Sequence, residues 1–173
     1  MLRRWCCSTT TTGPSARPER WRQARAAAAA LILLGACSPT PPSGQSLPTG
    51  QLDNQIAAAI GDPTTCVLLA DAATGKVVYR YGDDFNCSRA LPACDSANQM
   101  NAKDGLKDAA APGGRMQSCP SLPDGSRMVG WAEGRVQSDK RSLIFSAVME
   151  GQRALPGHEM NARLYDAFQK AGL

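Results

Sequence analysis

Aromatic residues are scarce in this sequence, at 5% of the chain, and that scarcity argues for a thin core. Of three tryptophans, only Trp131 lies beyond residue 36. There is one histidine and no Cys-x-x-Cys pair, which removes the usual donor sets for zinc, so no metal and no cofactor is expected. Phosphate-binding loops, dinucleotide fingerprints and a Gly-x-Ser-x-Gly elbow are all missing. His158, beside Pro156 and Gly157, therefore reads as a solvated or capping residue near a helix start. Asp83, Asp84 and the acidic residues from Asp104 to Asp108 read as solvated loop charges. A basic face is lacking too. Six of the 19 Lys and Arg and one of the 15 Asp and Glu fall in residues 1–36, which leaves 13 basic against 14 acidic residues in the rest. Phosphate backbones demand clustered cations, so nucleic acid is not an expected partner.

What residues 1–36 do hold is the layout of an export leader. Arg3, Arg4, Arg17, Arg20, Arg22 and Arg25 form a basic region, and the apolar run from Ala26 to Leu34 is too short to span a bilayer. The sequence Leu34-Gly35-Ala36-Cys37 then resembles the lipobox of bacterial lipoproteins, which implies acylation of Cys37 and a membrane-anchored product. Ser38 in the next position implies onward sorting to an outer membrane. Residues 37–49, rich in Pro, Ser and Thr, read as a tether. The working domain is expected over residues 50–173, on the periplasmic face of the envelope. Four cysteines remain there: Cys66, Cys87, Cys94 and Cys119. In an oxidising compartment an even number points to disulfides, with three possible pairings.

Periodicity predicts a helix from about 51 to 60, with Leu52, Ile56 and Ile60 on one side and Gly61 at its stop. Cys66 to Ala70 and Lys76 to Tyr81 read as a hairpin around Asp71 to Gly75. From Asn86 to Gly125 no period is sustained, apart from a weak helical signal within Ser96 to Ala111. Arg127 to Glu133 and Ser142 to Met149 predict a second antiparallel pair around a turn at Gln137 to Arg141. In the latter strand Leu143, Phe145, Ala147 and Met149 share one face and Ile144 and Val148 the other, which suits an interior strand. Met160, Leu164, Ala167, Phe168 and Ala171 line one side of a last helix, with Gly172 at its end. The economical solution is an α+β domain, an antiparallel sheet with the N- and C-terminal helices on one face.

Several of these stretches, in this order, resemble the penicillin-recognising serine enzymes, most closely class D β-lactamases. Val67 to Gly82 resembles their first hairpin, and Arg89 to Ser96 the Pro-containing turn that delivers the nucleophilic serine to a helix start. Asp124 to Glu133 with Leu143 to Met149 resembles the closing strand pair, and Pro156 to Leu173 the last helix. The resemblance implies a hydrolase that opens a β-lactam ring through an acyl-serine, with a β-lactam or a peptidoglycan-like ligand and Ser96 as nucleophile. In the family a lysine one helical turn on takes the serine proton. Here Gln99 stands three residues on, and Lys103, seven residues on, is the remaining candidate base, on the same helix face but about two turns (~10 Å) away. Gly114 to Cys119 stands where the family has its Lys-Ser/Thr-Gly strand edge. Arg115 keeps the cation and, with Ser118, forms the implied substrate-binding pair, whereas Met116 and Gln117 depart from the pattern. Only about 20 residues join Ser96 to Gly114, with no Ser-x-Val or Tyr-x-Asn element, so the helical lobe of the family is missing and one face of the sheet is expected to be bare.

The hairpin brings Cys66 opposite Arg80 to Gly82, from which Cys87 can fold back to it. The family frame sets the nucleophile turn beside the strand edge and so implies the pair Cys94–Cys119. Three functions remain in competition: a weak or inactive class D-like β-lactamase, a non-enzymatic disulfide-braced envelope lipoprotein, and the product of a gene remnant.

Overall fold

The computed structural model describes residues 46–138 and 141–173. The leader, Cys37 and nearly all of the tether lie outside the described residues, as do positions 139 and 140 of the expected turn. The order of elements is α1 (Thr49–Ile60), β1 (Cys66–Asp71), β2 (Val77–Tyr81), α2 (Asp84–Ser88), β3 (Leu91–Pro92), β4 (Gln99–Met100), α3 (Ala102–Ala109), β5 (Arg115–Pro120), β6 (Met128–Ser138), β7 (Arg141–Gly151) and α4 (Gly157–Lys170).

Five strands form one antiparallel sheet in the order β2-β1-β7-β6-β5. The α+β expectation holds, and β7 is the central strand, interior as expected. Leu143, Phe145, Ala147 and Met149 join one core and Ile144 and Val148 the other. The first hairpin turns on Asp71, whose Oδ1 accepts the N–H groups of Ala73 (3.1 Å) and Thr74 (2.9 Å). Gly75 completes that turn at φ +69°, a left-handed conformation that glycine adopts without a Cβ clash.

The two terminal helices share one face. Leu52, Ile56 and Ile60 of α1 and Met160, Leu164 and Phe168 of α4 meet Val67, Leu69, Phe145 and Ala147 of the sheet. Arg163 of α4 donates to the Ala59 carbonyl (3.2 Å) near the end of α1. The close of α4 is a Schellman motif: Gly172 N–H bonds to the Gln169 carbonyl and Leu173 N–H to that of Phe168, with Gly172 at φ +87°.

The opposite face is not bare. The stretch expected to be irregular folds into α2, the small β3–β4 hairpin and α3, which lie over the sheet. Leu91, Ala93, Met100, Ala102, Leu106 and Ala109 bury themselves on Leu68, Val129, Trp131, Ile144 and Val148. A capping box starts α3: Asn101 accepts from the N–H groups of Lys103 and Asp104, and Asp104 accepts from that of Asn101. Trp131 donates its Nε1–H to the Pro92 carbonyl at 2.8 Å, which ties this small covering layer to the sheet.

Two disulfides stitch this layer to the sheet, Cys66–Cys87 and Cys94–Cys119, the expected pairs. At the end of the layer where β7 finishes, the Glu150 carboxylate draws three segments together. It accepts from Arg89 (2.8 Å), from Arg127 through two bonds (2.7 Å each) and from Ser121 (2.7 Å).

Candidate functional site

Candidate residues gather where the β3–β4 hairpin meets the edge strand β5. The residues between β3 and β4 form an exposed turn, Cys94 to Asn98, fixed at two points. Cys94, at φ +69°, is bonded to Cys119 of β5, and Asp95 accepts from Arg115 Nη1 at 2.7 Å.

Ser96 sits exposed on this turn and not at a helix start. Its hydroxyl oxygen accepts the N–H of Asn98 at 3.3 Å. The helix begins six residues later because Asn101 and Asp104 supply a complete capping box, while Pro92 and Gln99 pair as strand residues. With Ser96 off the helix, the expected shared face with Lys103 disappears. Lys103 is in the first turn of α3 and lines a cleft of about 650 Å³ over β1 and β2, with Leu68, Val77, Arg80, Asp84 and Ser88. Ser96 is not among the residues of that cleft. Gln99, in β4, is exposed.

Arg115 and Ser118 are also separated. Side chains alternate along a strand, so positions three apart point to opposite faces. Arg115 turns toward the covering layer and Ser118 toward the terminal helices, where its Oγ accepts the Gly157 N–H at 2.8 Å. That bond satisfies one of the free donors at the start of α4, whose N-cap residue, Pro156, contributes no side-chain cap. The expected substrate-binding pair is thus split: Ser118 is a helix cap supplied by a neighbouring strand.

The Arg115 guanidinium, 13% exposed, meets three carboxylates: Asp95, Asp108 of α3, and Glu133 of β6, whose Oε2 lies 3.3 Å from Nε. Its Nη2 also lies 3.0 Å from the Met100 thioether. Glu133 is the group that sequence reading missed. It follows Val129 and Trp131 at period two on the covered face of β6, and its side chain is fully buried. A charged residue continuing the inward set of an interior strand is the signal that could have revealed it. Burial holds the Glu133 carboxyl up at about 7 against the pull of Arg115, and the Asp108 and Asp95 charges add to the rise.

Chemically, the site holds an exposed serine with no base hydrogen-bonded to it among the described residues, a cation shared among three carboxylates, and a buried acid able to titrate near neutrality. The chain matches no family model, no curated protein and no solved structure with which it was compared.

Proposed function

We propose that this chain is an exported, lipid-anchored envelope protein that keeps the sheet and terminal helices of a class D-like penicillin-recognising enzyme but does not hydrolyse β-lactams, serving as a non-enzymatic binding domain. Support for the scaffold comes from the order of hairpin, serine-bearing turn, edge strand, closing pair and last helix. The Cys94–Cys119 bond adds to it by joining the turn to the edge strand, as the family frame requires. Two disulfides fit an oxidising compartment outside the cytoplasm, and no helix among the described residues is long and apolar enough to cross a membrane. The Cys37 lipobox supplies the anchor in this reading.

The single observation that carries the loss of hydrolysis is the surroundings of Ser96. Acyl transfer needs a base within hydrogen-bond reach of the nucleophile, and the one bond Ser96 Oγ makes among the described residues is from a backbone N–H. Incubation of the oxidised protein with a fluorescent penicillin, followed by intact-mass analysis, is expected to give no adduct. A penicilloyl adduct that Ser96→Ala abolishes overturns this reading. It favours instead an acyl-serine form with slow or no turnover, which the exposure of Ser96 on a doubly pinned turn would permit. Metabolic labelling with an alkynyl palmitate, lost on Cys37→Ala, tests the anchor separately.

A further inference from the structure

The covering layer rests on a buried acid. Glu133 and Ser146 are cross-strand neighbours on β6 and β7, and Gly105 of α3 lies directly over both. A Cβ on Gly105 would come within 2.2 Å of Ser146 Oγ and 2.6 Å of Glu133 Oε1. Neither oxygen has a hydrogen-bond partner among the described residues. The other Glu133 oxygen takes one bond, from Arg115, and Arg115 also holds Asp95 of the turn and Asp108 of α3.

These contacts suit one ionisation state better than the other. The Ser146 hydroxyl can accept from the neutral acid or donate to the carboxylate, so it does not separate the two states; burial does. The ionised form places a full charge beneath α3, where its one cation, Arg115, is shared with Asp95 and Asp108, and a buried charge so weakly compensated is stabilised by water. Water reaches Oε1 when α3 lifts from the sheet.

We propose that Glu133 is an ionisation latch for the covering layer. As the neutral acid it lets α3 and the β3–β4 turn close on the sheet; on releasing its proton to water it drives that layer to open. The facing charges set the balance. Arg115 from β5 favours the ionised form, Asp108 from α3 and Asp95 from the turn oppose it, and Ser146 from β7 and Gly105 from α3 bring no charge. With burial added, the acid sits at about 7, so the transition falls near neutrality. The latch is a property of the fold and holds whether or not Ser96 reacts.

Amide hydrogen exchange on the oxidised full-length protein, corrected for intrinsic rates, tests this at pH 6 and pH 8. Residues 93–109 are expected to lose roughly tenfold protection relative to β1 and β7 across that interval, because each pH unit between the ordinary value of 4.5 and the closed-state value of about 7 adds up to about tenfold to the open population, and the rise levels off above 7. Glu133→Gln is expected to remove the pH dependence. Equal protection of the layer at both pH values in the wild type, or the same loss in the variant, overturns the proposal. A second measurement needs no variant: the Glu133 carboxyl carbon, followed by NMR in the wild type, is expected to titrate together with exchange of the Trp131 indole N–H, which bonds to the layer at Pro92. A Glu133 midpoint below about 5, in the ordinary carboxylate range, also overturns it.

Discussion

Two glutamates lie buried on the same face of neighbouring strands, each 2% exposed, and their chemistry is opposite. Glu150 ends β7 with four bonds from three side chains and is held down at about 2, chiefly by its hydrogen bond from Arg127. Glu133 has one bond to a guanidinium shared with two other carboxylates, and burial raises it to about 7. Ser146, opposite Glu133, is four residues before Glu150, or about 13 Å along the strand. Equal surface exposure therefore hides two differences. Glu133 lies deeper, so that burial dominates its shift, whereas Glu150 has more donors and fewer other acids claiming them. Glu150 ties loops together; Glu133 is a charge the fold tolerates best when it is absent.

The largest test of this contrast is steric. Gly105→Ala places a methyl against Glu133 Oε1 and Ser146 Oγ. It is expected to destabilise the protein by about 3 kcal/mol in urea melts, even though alanine favours a helix. A neutral or stabilising result would mean that α3 does not seal this acid.

Glu150→Gln comes next. It leaves Arg89 and Arg127 converging on a neutral amide and is expected to cost about 2 kcal/mol at pH 7. The wild-type contribution has a definite sign. A carboxyl lowered from 4.5 to about 2 contributes stability that is present above pH 4.5 and is lost as pH falls from there toward 2. The variant's melting temperature should therefore vary less over that acid range than the wild type's.

Glu133→Gln should act at the other end of the pH scale, with a gain of up to about 3 kcal/mol at pH 8 and little change at pH 4.5. A group raised from 4.5 to about 7 contributes stability that is present below 4.5 and is lost as pH rises through 7. The wild type should melt at a higher temperature at pH 5 than at pH 8, and the variant should narrow that difference. A Glu133→Gln protein that loses stability at pH 8 would show Arg115 to be a sufficient partner and erase the contrast between the two acids.

Much of the architecture was legible in the sequence because its periods are strong. The two-faced apolar pattern of Leu143 to Met149 marks an interior strand, and the spacing from Met160 to Ala171 marks the last helix. The segment from Asn86 to Gly125 was not legible, for physical reasons. Strands of two residues, such as Leu91–Pro92 and Gln99–Met100, are too short to show a period. In β5, Arg115, Gln117 and Cys119 alternate with Met116, Ser118 and Pro120, so polar and apolar residues fall on both faces and no hydrophobic alternation appears. The layer closes through disulfides, a capping box and an indole hydrogen bond rather than through a long apolar stripe. Around the candidate site, Arg115 and Ser118 stood out by type, but the three-residue spacing that parts them matters only once the segment is known to be a strand. Glu133 stood at the expected end of a strand that in fact continues to Ser138, which moves it from an exit to an interior position.

The two disulfides bear on the order in which the molecule is made. Each runs from the covering layer to the sheet, Cys87 to β1 on one flank and Cys94 to the edge strand β5 on the other. In a reducing compartment neither bond persists, and the layer is left to hold by its small core and its hydrogen bonds and ion pairs to the sheet. On the export route proposed above, a newly made chain would be least committed to its final shape before translocation and would become locked on reaching an oxidising space, tying maturation to arrival.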